Sequence, residues 1–529
     1  MKKHVKYLAT ALAATIGATA FSACKKTVEN NETTLEIYAA DFGYGYEWLT
    51  DAAELFKQQD WVKEKYPELS IPAIRHNSER SYAVDRIQAG ESNTVDLFFS
   101  VQSGASVYEQ TYGNDQAYFA DLSDVYAAVV PGENVTVAEK MDDNFLKMNT
   151  YTKKDGSAAY YSFPWVAGMQ GLLYNKTLFE ENGVSVPNTT DELAALCDAL
   201  VAKNVTPFIF TSKENYWTCM LFLIWWAQYE GLENYGNFYQ GLVEEDGIKT
   251  MSADVFKQTG RLRSLEAIES LIYYPDHSQN IHADVNTLSF TQAQAKFLLR
   301  QGAMMPNGDW FETEMTKTRE TDGITDVFTF MKTPVISSIV EKLENKSMTD
   351  AQLSAVIAAI DSGAETYEGV SENDFAKIKE ARNTVLPVGN HVAMIPGYST
   401  AKDLAKDFLI FLATDAANEA FIRSTNGASA PFEYDVETKN AALYESLPQL
   451  QKTRLTLQKN ALYMLNENTY AGVYYGGIAR FTESRTNVES LFTARNASDR
   501  MTAQAIYQAE IDHWDTIRWN SVLTNMGLK

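Results

Sequence analysis

The chain has 529 residues, with 45 Lys and Arg against 69 Asp and Glu and a formal charge of −24. So acidic a surface repels phosphate backbones, and with no compensating basic patch it argues against nucleic acid or a polyanionic ligand. Three cysteines exclude a disulfide scaffold, and the length allows about two to four domains.

The first element in the chain is an export signal. Lys2, Lys3 and Lys6 precede an apolar run from Tyr7 to Phe21, then small residues Ser22 and Ala23 and finally Cys24. The run falls short of the roughly 20 apolar residues that span a bilayer. Phe21-Ser22-Ala23-Cys24 resembles a bacterial lipobox, with Phe21 where Leu is usual, and implies cleavage after residue 23 and lipidation of Cys24. The alternative is an ordinary secretory signal with an incidental cysteine. Residues 24–34 are polar and read as a flexible linker.

Strands and helices alternate next, the pattern of an α/β domain. Leu35 to Ala40 predicts a strand, followed by the loop Asp41 to Gly45 and a helix from about Tyr46 with Trp48, Ala52, Leu55 and Phe56 on one face. A strand at Ile71 to His76, a helix at Ser81 to Gln88 and a strand at Val95 to Ser100 complete a βαβαβ start. Ligands of open α/β sheets lie beyond the carboxyl ends of strands, so the loops after residues 40 and 100 become candidate walls of a site. Further on, Gly171 to Leu193 ends with Thr189 and Glu192 at capping-box spacing. Helices are predicted over Tyr216 to Ala227, Asp254 to Tyr273 and Thr291 to Leu299, and Phe297 to Trp310 reads as helix end, turn, strand and turn. Ser337 to Arg382 reads as a helical insertion, His391 to Ile395 as a strand, and Ser399 or Thr400 as the cap of a helix bearing Leu404, Phe408, Phe411 and Leu412. The remainder is helical and Tyr-rich. Cys197 and Cys219 sit in apolar helical stretches as two buried thiols or one disulfide. Asp276, His277, His282 and Asp284 match no standard metal spacing and read as a solvated loop.

Three segments, Gly171 to Glu192, Phe297 to Trp310 and Ser399 to Pro431, resemble the extracellular solute-binding proteins of family 1, the maltose-binding-like receptors of ABC importers. The resemblance implies a two-lobed α/β periplasmic-binding-protein-like fold of type II, with solute held in the cleft. It places residues 35–148 and 390–432 in an N-lobe and 150–337 and 433–529 in a C-lobe, with 338–389 inserted near the hinge. It further implies a lipid-anchored, monomeric receptor outside the cytoplasmic membrane, with an ABC permease as partner and neither cofactor, metal nor catalysis.

Sugars present hydroxyl edges and apolar CH faces, so their sites combine aromatic platforms with planar polar side chains. Carried over by position, the ligand-binding candidates are Asp41, Tyr44 and Tyr46, then Gln102 and Ser103, then Glu214, Tyr216 and Trp217, and then Asp309 and Trp310. Trp165 and Tyr474 complete the set, while Trp225, Trp226 and Phe222 read as core. Trp310 is expected to stack on a sugar ring without carrying much of the fold. A mono- or oligosaccharide is the ligand this set suggests. Composition alone also permits a secreted carbohydrate-active enzyme, and a receptor for a non-sugar solute such as a polyamine would differ only in cleft chemistry.

Overall fold

The computed structural model describes residues 32–79, 82–90, 94–107, 118–153, 156–214, 217–465, 488–514, 516–525 and 529. Cys24 and the linker calls before residue 32 lie outside them. The helix Glu47–Gln58 buries Trp48, Leu49, Ala52, Ala53 and Phe56 on one stripe, with Glu47 in its first turn and Lys57 in its last, each complementing the helix dipole. It covers a five-stranded sheet ordered Arg75–Asn77, Ile37–Ala40, Leu97–Ser100, Val392–Met394, Phe163–Pro164. The first three strands are parallel, with Tyr38 opposite Phe98 and Ala39 opposite His76. Val392–Met394 then enters antiparallel to both Leu97–Ser100 and Phe163–Pro164.

The second sheet is built on Met169–Asn175, whose near-continuous burial suits a strand covered on both faces. Met304–Gly308 pairs with it antiparallel along one edge, while Phe328–Met331 and Thr384–Pro387 share the other. Leu462–Tyr463 lies parallel to Thr384–Pro387. The helix Trp217–Glu230 is apolar all round and packs on Thr259–Ile272 in the core beside this sheet. Trp225 and Trp226 are fully buried there and Phe222 nearly so.

Two lobes follow from the two sheets, and the chain passes between them in adjacent segments. Residues 165–168 and 388–391 run side by side, with Trp165 N–H donating to His391 O at 3.3 Å and Val388 N–H to Gly168 O at 3.0 Å. A third segment joins them where Ala167 N–H donates to Ser429 O at 2.8 Å. The first crossing therefore falls at 165–168, beyond the expected boundary at 148–150, because Phe163–Pro164 still belongs to the first sheet and Tyr126 Oη donates to Ser162 O in that lobe.

The block 338–389 holds the helices Asp350–Asp361 and Glu372–Asn383, but its last residues, Thr384–Pro387, form a strand of the second sheet. The block is fastened to the second lobe. Thr189 Oγ1 donates to Asp350 at 2.8 Å, and Arg382 clasps Asp361 at 2.6 Å while also bonding the Thr333 carbonyl. Thr189 caps Thr190–Val201 by accepting from Glu192 N–H, yet Glu192 returns its bond to Asn188 N–H, so the reciprocal half of the box lands one residue early. The helix Lys402–Leu412 starts after Ala401, with neither Ser399 nor Thr400 as its cap: the Ser399 hydroxyl is engaged with Asp96 and accepts from Ala401 N–H. Cys197 is buried as a free thiol.

Candidate functional site at the interlobe hinge

Positive φ at Gly43 (+56°) and Gly45 (+69°) folds the loop after Ile37–Ala40 sharply, with Asp41 N–H anchored on Asn77 O at 2.9 Å. The turn sends Tyr44 inward, out of its own lobe, where its hydroxyl donates to Asp309 Oδ1 at 2.7 Å. Asp309 ends the strand Met304–Gly308 of the other lobe and also accepts from Met169 N–H at 3.3 Å. The meeting requires a glycine in the hinge: a Cβ on Gly168 would lie 2.6 Å from Asp309 Oδ1 and 2.8 Å from Val388 Cγ2, and closer still to the Tyr44 hydroxyl.

Rings close around this contact. Tyr44 meets Trp165, Trp310 and His391 edge-on at centroid distances of 6.1, 6.5 and 5.4 Å, and Trp165 stacks on Trp48 at 5.2 Å. The Trp165 indole N–H is buried and has no hydrogen-bond partner among the described residues. Trp310, expected to offer a face to sugar, is 6 % exposed. Its ring lies over Gly308, where a Cβ would collide with it, and a Cβ on Gly43 would come within 3.4 Å of Trp310 Cβ. Trp310 therefore packs between the lobes and contributes to the fold, contrary to the expectation that it carries little of it.

Behind Asp309 lies Arg454, and both are 0 % exposed. Arg454 Nε stands 3.6 Å from Asp309 Oδ2, and the guanidinium also donates to Gln451 Oε1, Gln458 Oε1, Gly427 O and Ser429 Oγ. Gln451 Nε2 donates to Asp309 O, and Gln458 Nε2 to Ala167 O in the first crossing. Burial pushes the Asp309 carboxyl above its ordinary value, and Arg454 and the Tyr44 hydroxyl oppose that rise. Burial likewise lowers the Arg454 guanidinium, against the pull of Asp309.

A second group sits further out on the same loop. Tyr46 stacks on His76 with ring centroids 3.7 Å apart and planes 13° apart, and His76 Nδ1 lies 3.2 Å from Asp41 Oδ2. Gln102 is half-buried after Leu97–Ser100, while Ser103 is buried and its hydroxyl accepts from Ser106 N–H, a local turn bond. Glu214 is exposed. Trp217 opens the helix Trp217–Glu230, and Tyr216 and Tyr474 lie outside the described residues. The structure thus gathers Tyr44, Trp165, Asp309 and Trp310 at the hinge and Asp41 and Tyr46 beside them, and adds His391, Arg454 and His76, which the sequence did not single out. Among the described residues, no three His, Cys, Asp or Glu side chains are grouped to hold a metal ion.

A carboxylate, aromatic rings and glycine turns thus meet where the two α/β lobes join. The family described as bacterial extracellular solute-binding protein matches residues 81–419. The chain belongs to that family. A multiple sugar-binding protein of Streptococcus mutans serotype c is 30% identical over 171 residues, 32% of this chain and 37% of that protein, so little over a third of the curated relative is matched. Among solved structures, a chitin oligosaccharide binding protein aligns with TM-score 0.58 at 15% identity, over 92% of this chain and 99% of its own. The bacterial solute receptor AcbH, described as having an exclusive preference for β-D-galactopyranose, aligns with TM-score 0.59 at 12% identity, over 92% of this chain and all of its own. At such identities the likeness concerns the fold: two lobes with the hinge between them. No described helix of this solute-binding protein is long and apolar enough to cross a membrane.

Proposed function

We propose that this solute-binding protein captures a mono- or oligosaccharide between its lobes, without turnover, and delivers it to the permease of an ABC importer. The observation that carries this reading is the hinge cluster, where Tyr44 of one lobe bonds Asp309 of the other amid Trp165, Trp310 and His391. A sugar bound beside these groups contacts both lobes at once and so favours the closed form over the open one. The family and the sugar-binding relatives support the same ligand class. Asp41, Tyr44, Tyr46, Trp165, Asp309 and Trp310 form its wall, with Gln102, Ser103, Glu214, Tyr216, Trp217 and Tyr474 as further contacts. A diacylglyceryl anchor on Cys24 holds the monomeric receptor on the outer face of the cytoplasmic membrane, since two acyl chains give stable attachment and raise its effective concentration at the permease.

Calorimetric titration with a broad glycan panel tests the ligand. Saturable binding with the oligosaccharide recovered intact is the expected result. Heat from peptides or polyamines with none from any glycan refutes the sugar, and stoichiometric product release refutes a pure receptor.

A further inference from the structure

We infer that a pocket of the second lobe, sharing no residue with the hinge cluster, is a second binding site whose ligand is a free basic amino acid. It goes beyond the sugar reading above and does not depend on it.

The helices Trp217–Glu230 and Leu232–Tyr239 meet at Gly231, whose φ of +81° turns the chain sharply between them. Around this corner close Ser337–Lys342 and Glu372–Asn383 of the block 338–389, together with the hairpin of Leu242–Glu245 and Ile248–Met251. They enclose about 490 Å³, a volume suited to a small solute. Two buried amides line it. Gln228 is 3 % exposed: its Oε1 accepts from Ile336 N–H at 3.0 Å, while its Nε2 has no partner among the described residues. Asn237 is 2 % exposed, and its side chain makes no hydrogen bond among the described residues. Buried amides ordinarily bond something, and these two are placed to donate to an acceptor that a ligand brings.

The charges select a cation that also carries an anion. Five carboxylates line the pocket against two lysines. Glu230 is committed to the fold, accepting from Gly260 N–H and Asn234 Nδ2, each at 2.6 Å, with Lys342 Nζ at 3.4 Å. Glu380 gives only its Oε1 to Leu232 N–H, at 2.8 Å, and Asp246 at the hairpin turn makes no ion pair among the described residues. Glu233 and Glu244 share Lys249, at 2.7 and 3.8 Å. Glu380 and Asp246 are therefore the acceptors for an ammonium or guanidinium group. Lys377, held on Lys342 O at 3.0 Å, offers a cation to a carboxylate beside the two amides. The acids do not converge on one point, since among the described residues no three His, Cys, Asp or Glu side chains are grouped to hold a metal ion. An extended ligand with separated charges fits such an arrangement. Lysine and arginine have that form, and their second cation matches the excess of acid over base.

The test is calorimetric titration of the full chain at low ionic strength with L-lysine, L-arginine, cadaverine and L-glutamate. L-Lysine or L-arginine should bind saturably, about tenfold or more tighter than cadaverine, which has no carboxylate, and than L-glutamate, which has no second cation. Added salt should weaken the binding. Glu380→Gln keeps the oxygen that accepts from Leu232, and Asp246→Asn suits the φ of +51° at that turn, so both variants preserve the local backbone. Each should weaken the amino acid about tenfold and leave glycan affinity unchanged, because every wall of the pocket belongs to the second lobe. Absence of saturable binding by both basic amino acids overturns the site, and equal affinity for cadaverine overturns the amino acid as its ligand. Affinity unaltered in both variants, or displacement of the bound amino acid by a glycan, places it elsewhere and overturns the site as well.

Discussion

Replacing Arg454 by Met removes the cation behind Asp309 and leaves the carboxylate in a fully buried position. At 3.6 Å and an effective dielectric near 20, the lost attraction is about 4–5 kcal/mol, and stranding one partner of a buried pair ordinarily costs about 3–5 kcal/mol. Asp309 is already raised by burial with Arg454 present, so without it the carboxyl rises further and can take up a proton in the folded state. A folded-state value above the unfolded one means that the native chain binds more protons across that interval. Stability then falls as pH rises from the ordinary Asp range, near 3.9, through the raised folded value. The deficit of Arg454→Met against the parent should therefore be largest at pH 7 to 8 and shrink as pH is lowered toward 5. Melting entropy of about 2.1 cal/mol/K per residue makes 1 kcal/mol worth about 1 °C for a chain of this length, so calorimetry should read a loss of about 4 °C at neutral pH if the lobes melt together. The double variant with Asp309→Asn has no carboxyl at this position, so the extra pH dependence that Arg454→Met introduces should be absent from it. A gap between Arg454→Met and parent that is constant from pH 4.5 to 8 refutes the electrostatic account and leaves Arg454 as a packing residue.

Three further outcomes are expected. Gly168→Ala forces a methyl group into the Tyr44–Asp309 contact; overpacking of about 1–3 kcal/mol should push the lobes apart, seen as a larger radius of gyration by small-angle scattering, and an unchanged radius with full affinity would show that the hinge yields at no cost. Trp310→Ala should weaken binding and also cost about 3–5 kcal/mol of stability, because the ring is enclosed between Gly43 and Gly308; loss of affinity with an unaltered melting temperature would place the ring free of the core after all. Burial raises the Asp361 carboxyl, but Arg382 and Lys332 more than reverse that and hold it below its ordinary value. Its contribution is then present above about pH 3.9 and lost as pH falls through the depressed value, so the protection of Asp350–Asp361 amides against hydrogen exchange, relative to their intrinsic rates, should fall below pH 4 in the parent, and Asp361→Asn should show that lower protection already at pH 7.

Local pattern carried much of this architecture. The Trp48 to Phe56 stripe, the cap at Thr189 and the glycine turn before Met304 each depend on neighbours a few residues away, and each forms near its predicted place. Arg454 was invisible for the opposite reason. The helix Gln449–Gln458 reads QLQKTRLTLQ, a polar segment that resembles a solvated face, and only the passage of Gly427 to Ser429 and Asp309 over it buries Gln451 and Arg454. A row of Gln451, Arg454 and Gln458 at helical spacing was the available signal, with nothing in the sequence to say what would cover it. The crossing at 165–168 was misplaced because Phe163–Pro164 is two residues long, too short for a periodicity. Tyr44 and Trp310 meet ring to ring at the hinge, a tertiary contact that strand ends and glycines do not specify.

The strand Val392–Met394 completes a sheet whose other members, apart from Phe163–Pro164 beyond it, come from the first hundred residues, and most strands of the second sheet are synthesised in between. Until it arrives, the edge of Leu97–Ser100 has no covering strand, and Phe163–Pro164 has no neighbour through which to join the sheet. The first sheet to be started is therefore closed only after most strands of the second have been made, and such long-range pairing is slow to form. A sheet unable to close early keeps the first hundred residues pliable until Val392–Met394 is in place.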